Sequence, residues 1–182
     1  MVFLPASDRN LILTGYTGPN QPAIGRQVAE VLGLPFVNVE GQIEDRAGNS
    51  IEEIKTLYGE SRLKTLESDV VHEAVLYRGA VIRISGQTLL HGDHLERLRA
   101  TGPIICLVAA VDAVLQRLHL ALGARYHNPD ERALALGNLK REWSARKREG
   151  VYELDATYMN TDQVVANIVV LWQELVAVGE VR

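Results

Sequence analysis

The sequence predicts an α/β fold: one domain built on a five-stranded parallel sheet with helices on both faces. Three observations predict it. Five short runs, "NLILTG", "PFVNV", "AVIRIS", "PIICLVAA" and the weaker "YELDATYM", are rich in Val, Ile and Leu and mostly do not alternate with polar residues. Strands covered by helices on both sides have that pattern. Helical periodicity fills the segments between the runs. No repeat, low-complexity tract or linker divides the chain, so residues 1–182 read as one unit with a sizeable core.

In chain order, the first strand runs into the glycine turn "GYTGPNQP" and then a helix over residues 22–32. That helix puts Ile24, Val28, Val31 and Leu32 on one side, and Gly33 stops it. After the second strand, Ser50 is placed to cap "IEEIKTLY", with Glu53 three residues on to complete a capping box. A helix over residues 61–77 carries Leu63, Leu66, Val70, Ala74 and Val75 as a stripe. Beyond the third and fourth strands come helices over 112–122 and 130–148. The last helix, over 162–176, turns Val165, Ile168, Val169, Trp172 and Leu175 inward. The polar, glycine-flanked stretch "ALGARYHNPDERALALG" reads as a mobile flap over residues 120–130.

Composition narrows the function classes. A net charge of -4 argues against a general polyanion binder, so no nucleic-acid partner is expected. The one cysteine, Cys106, lies in an apolar run and allows neither an internal disulfide nor a cysteine zinc site. The five histidines include His91 and His94 at i,i+3, but Gly92 interrupts the helix that such a metal pair would need. No metal site is expected. There is no 18-residue apolar run and no leader pattern, so no membrane partner is expected and the cytoplasm is the expected location. The sequence leaves the oligomeric state open.

Right-handed crossovers place ligands at the carboxyl ends of parallel strands. Those ends are "TGYTGPN", "NVEG", "SGQT" and "AAVD". The first has the outline of a phosphate-binding loop: an apolar strand, a glycine turn and a helix start. Such loops hold phosphate oxygens with consecutive backbone N–H groups, a lysine and a hydroxyl that reaches magnesium. Pro19 and Pro22 have no N–H to give.

The loop, "IEDRAGNSI" and "LESDVV" together resemble the shikimate kinase family, in order and approximate spacing, over nearly the whole chain. The resemblance implies a P-loop nucleoside-monophosphate-kinase fold. It also implies transfer of the ATP γ-phosphoryl group to the 3-hydroxyl of shikimate with magnesium. Against the family's G-x-x-G-x-G-K-[ST], Gly15 and Gly18 stand, Asn20 replaces the third glycine, Gln21 the lysine and Pro22 the hydroxyl residue. The family's Asp-x-Asp falls on Asn38 and Glu40, and its helix arginine on Lys64, which keeps charge without the bidentate fork. Its glycine triplet becomes Ser85-Gly86-Gln87, in which only Gly86 lets backbone approach a ligand closely. The flap arginine falls on Arg125 and the second substrate arginine on Arg148.

These matches give a degenerate nucleotide loop with a lid (Gly15, Gly18, Gln21, Arg125) and a substrate region (Glu40, Lys64, Gly86, Arg148), with no residue assigned to catalysis. Residues 125–149 hold seven Lys/Arg against four acids, net +3, which suits a small anionic, shikimate-like ligand and equally an ordinary solvated helix. Three readings follow. The chain is a shikimate-kinase-like protein with little or no kinase activity, for which ATP and magnesium enter by resemblance only and no cofactor binds tightly. Or it is an active kinase in which Lys64 or Arg125 substitutes for the lost cation. Or it is a partner-binding module that kept only the fold.

Overall fold

The computed structural model describes residues 5–19 and 21–180; Asn20 lies outside the described residues. Five strands form one sheet: β1 Leu11–Gly15, β2 Phe36–Asn38, β3 Val81–Arg83, β4 Ile104–Val108 and β5 Val151–Asp155. Their order across the sheet is β2-β3-β1-β4-β5, and every pairing is parallel. Successive residues of a strand point to opposite faces. Ile12, Ile82, Ile84 and Ile104 enter one core, while Leu11, Leu13, Val81, Ile105 and Leu107 enter the other. β1 and β4 are buried along their whole length, which is why they read as continuous apolar runs, whereas the edge strand β5 is largely exposed and reads as the weakest.

The first core is closed by α2 Val39–Ala47, α3 Ile51–Tyr58 and α4 Glu60–Ala74, with the short helices α5 Gly86–Leu89 and α6 His94–Arg99. Helix α3 starts as expected. The Ser50 side chain accepts from the Glu53 N–H, and the Glu53 carboxylate accepts from the Ser50 N–H at 2.8 Å. The stripe Leu63, Leu66, Val70 and Ala74 of α4 is buried. The second core is closed by α1 Gln21–Leu32 and α9 Thr161–Glu180. Ile24 and Val28 are buried there, but Val31 is 64% exposed: it follows Val28 by three residues and rotates past the edge of the contact. Between β4 and β5 lie α7 Val111–Leu122, a 3-10 turn Gly123–His127, and α8 Pro129–Glu142. These three build a small third core around Val114, Leu118 and Leu139.

Helix α8 is shorter than the periodicity predicts. It stops at Glu142 and passes into a 3-10 turn, Trp143–Ala145. Two contacts fix that end. The Trp143 indole N–H donates to the Tyr16 carbonyl at 2.8 Å, and Gly86 packs directly on the Glu142 carbonyl. Helix α9 is long and apolar enough to pass a length-and-composition test for crossing a membrane (Thr161–Gly179, mean hydropathy 1.2), although Val164, Val165, Ile168 and Val176 are buried within the fold.

Candidate functional site

Residues from the loop after β1 and from α2, α3, α4, β3, α5, α7 and α8 surround a cavity of about 510 Å³ at the carboxyl ends of the strands. That volume lies in the range of small-molecule sites. The loop after β1 forms one wall through Tyr16 and Pro19.

The loop's own groups are largely committed. Gly15 has φ +87° and turns the chain out of the sheet, and the Tyr16 N–H donates to the Leu107 carbonyl at 2.9 Å. The Thr17 N–H donates to the Gln21 side-chain carbonyl at 3.3 Å. Gln21 itself is only 4% exposed. Pro19 and Pro22 have no N–H. The loop carbonyls are also held: Tyr16 by Trp143, and Thr17 by the Arg117 guanidinium at 2.8 Å. The same guanidinium reaches the carbonyls of Ala156, Thr157 and Met159, so its charge is spent on backbone between the loop and the chain entering α9. Arg117 also lines a second, mostly apolar cavity of about 430 Å³ with Gly18, Pro19 and Ile24.

Across the main cavity, Glu40 sits in the first turn of α2, where the helix dipole favours a carboxylate. It accepts from the Arg83 guanidinium at 2.8 Å and from the Ser85 N–H at 2.8 Å. Glu142, at the end of α8, accepts from the Gly86 N–H at 3.2 Å and lies 3.9 Å from Arg83. Arg83 is therefore bracketed by two carboxylates, and the Ser85 and Gly86 N–H groups each point at one of them. Glu67 is buried and accepts from the Thr88 hydroxyl at 3.3 Å, with the His91 ring 2.5 Å away.

Burial pushes the Glu142 carboxyl up to about 7. The Glu40 charge adds to that rise, while Arg83 and the Gly86 N–H oppose it. Glu142 titrates near 4.5 when unfolded and near 7 when folded, so the native state holds its proton more tightly. The associated stability is complete below about pH 4.5 and is lost as pH rises through 7. By linkage this amounts to about 3 kcal/mol at most. Thermal unfolding should show Tm falling between pH 5 and pH 8. Glu142→Gln, which keeps an acceptor for Gly86, should flatten that slope and raise Tm at pH 8. An unchanged slope would contradict the assignment to Glu142.

Of the residues expected to form the substrate region, the structure brings Glu40 and Gly86 together. Gly86 serves packing: a Cβ there would lie 2.8 Å from the Glu142 carbonyl carbon, so the close backbone approach is to α8. Gln87 lines the cavity. Lys64 does not: Leu63 and Glu67 face the cavity, and the next residue after Leu63 turns about 100° away into solvent. Arg148 does not either. It precedes β5 at the amino ends of the strands and is exposed there, opposite the cavity. Arg125 points outward, with its side chain 68% exposed and paired to Glu131 at 2.8 Å. The expected flap region, residues 120–130, is the end of α7, the 3-10 turn and the start of α8, with His119 stacked on Tyr126 at 4.6 Å.

Sequence reasoning missed Arg83, Glu142, Lys55 and Arg117. An arginine inside the apolar run "AVIRIS" was a readable signal, because a charge in a covered strand requires a partner. The net +3 of residues 125–149 does not carry into the cavity. Five carboxylates line it (Glu40, Glu52, Glu67, Glu131 and Glu142) against three cations (Lys55, Arg83 and Arg141). The lysines and arginines that gave the segment its charge mostly face away.

A five-stranded parallel sheet of this order, with a strand-turn-helix loop beside the cavity, is the fold of solved P-loop kinase structures. The family model for shikimate kinase matches residues 22–172, and the chain belongs to that family. It is 28% identical over 175 residues to the shikimate kinase of Thermodesulfovibrio yellowstonii, covering 92% of this chain and 96% of that one. It is 32% identical over 115 residues to that of Geobacter sulfurreducens, covering 63% and 64%. The fold matches the crystal structure of shikimate kinase from Bacteroides thetaiotaomicron with a TM-score of 0.73 at 24% identity, over 93% of this chain and 98% of that one. It matches the Acinetobacter baumannii enzyme in complex with shikimate equally, with a TM-score of 0.73 at 20% identity, over 93% and 95%.

The family's magnesium does not fit the residues present. Pro22 stands where the hydroxyl ligand would be, Asn38 offers a neutral amide, and both Glu40 oxygens are already bonded.

Proposed function

We propose that this chain is a shikimate-kinase-fold protein whose nucleotide loop no longer supports ATP-dependent phosphoryl transfer, and that it retains the acceptor cavity as a small-molecule site. One observation carries the reading: the Gln21 side chain turns back onto the Thr17 N–H inside the loop. A protein amide oxygen takes a donor of the kind that phosphate oxygens need. With Pro19 and Pro22 lacking N–H and no lysine in the loop, the charge that develops on a transferring phosphoryl group meets little compensation. The residues that a substitute-cation mechanism would use, Lys64 and Arg125, face solvent or an acidic partner.

The test is a coupled assay with Mg-ATP and shikimate at high enzyme concentration. Kinases of ordinary competence turn over at about 1–100 per second, and one lost preorganised donor costs about 10²–10³-fold. Turnover here should fall at least ~10³-fold below that range. Turnover within the range, abolished by Lys64→Ala or Arg125→Ala, would replace this reading with an active enzyme using a substitute cation.

A further inference from the structure

We propose that the cavity beside α8 takes a cationic, amine-bearing polyhydroxy ligand and discriminates against carboxylates. This rests on the reading of that cavity as a retained small-molecule site. Most of the groups that would receive an anion there are engaged from within the chain; the Arg83 Nε–H has no partner but is itself buried. Glu40 takes the Arg83 guanidinium and the Ser85 N–H, both at 2.8 Å, and Glu142 takes the Gly86 N–H at 3.2 Å. Lys55 lies 4.0 Å from Glu52. Arg141 is bonded to the Asn138 amide oxygen. An incoming carboxylate would have to displace Glu40 or Glu142 from a position where each is part-buried and hydrogen-bonded, and would add a charge to a wall where carboxylates already outnumber cations. An ammonium group meets the opposite situation. The occupied carboxylate oxygens keep free lone pairs, Glu131 on the α8 wall keeps its second oxygen beyond the one that takes Arg125, and hydroxyls can use the Tyr16 phenol and the Gln87 amide.

Glu142 supplies a readout. Arg83 from β3, Glu40 from α2, Arg141 from α8 and the Gly86 N–H from α5 act on it, and Tyr16 from the loop and Cys106 from β4 sense its charge. A bound cation favours ionised Glu142, so the ligand should displace the proton that burial retains up to about pH 7. Affinity for an amine should therefore rise with pH, and affinity for a carboxylate should fall.

Isothermal titration with 2-deoxystreptamine, myo-inositol and shikimate at pH 6 and pH 8 tests this. The amine probe should bind tightest, with its affinity about tenfold higher at pH 8 than at pH 6. Glu142→Gln should remove that pH dependence and weaken the amine, and Glu131→Gln should weaken it without removing the pH dependence. Shikimate binding as tightly as the amine, no binding of the amine, or an amine affinity indifferent to Glu142→Gln would each overturn the proposal. Shikimate bound as tightly as the amine but without turnover would overturn this inference alone. Turnover with Mg-ATP would overturn the proposed function instead.

Discussion

Gly15→Ala should leave little folded protein. The residue has φ +87°, a conformation that L side chains rarely adopt, and an added Cβ would press on the Leu107 carbonyl oxygen and lie 2.6 Å from the Leu107 nitrogen. Both neighbours are backbone of β4, whose pairing with β1 runs from Ile12↔Ile104 to Gly15↔Leu107, so neither can give way without breaking the sheet at its centre. Strain and overpacking together should cost more than about 4 kcal/mol, out of the ~5–15 kcal/mol typical of a domain. Gly33→Ala is the comparison. Gly33 also has positive φ, +66°, but a Cβ there meets nothing within 4 Å, and the expected cost is only about 1–2 kcal/mol. Circular dichroism melts of the two variants decide it. A Gly15→Ala variant that melts as Gly33→Ala does would mean that β1 and β4 do not meet in this register.

Gln21→Lys carries the second large effect, and its direction separates two views of the loop. If the loop lacked only a cation, lysine would repair it. The geometry predicts damage instead. Gln21 is 4% exposed and its side-chain oxygen is the acceptor for Thr17. Lysine has no acceptor, so Thr17 loses its partner, and the ammonium is placed among donors in a site nearly closed to water. The expected cost is about 2–4 kcal/mol. ATP binding should not appear, because Pro19 and Pro22 still withhold their N–H groups.

Most of the fold was legible because burial on both faces and helix caps leave marks in local sequence. "PIICLVAA" could hardly be anything but a covered strand, and Ser50 with Glu53 announced α3 from four residues. Helices α5 and α6 were not legible, being four and six residues long and too short to establish a period. Glu40 and Gln21 could be named because the resemblance puts them at motif positions just beyond strand ends. Glu142 could not: it comes from more than fifty residues beyond Gly86 and reaches the cavity only because α8 stops where Trp143 turns toward Tyr16. Lys64 and Arg148 showed the reverse problem. Their charge and spacing suited a ligand, but helix rotation and the entry to β5 set their directions, and charge counted along a segment says nothing of where each side chain points.

Whether the loop after β1 holds nucleotide is read directly by a thermal-shift titration with Mg-ATP, on the natural chain and on Gln21→Lys side by side. A working site in thousandfold excess over its Kd would add about 4 kcal/mol, or roughly 10 °C in Tm. No shift is expected for either protein at millimolar Mg-ATP, with Gln21→Lys melting lower throughout. Strong stabilisation of the natural chain at sub-millimolar Mg-ATP would contradict this expectation.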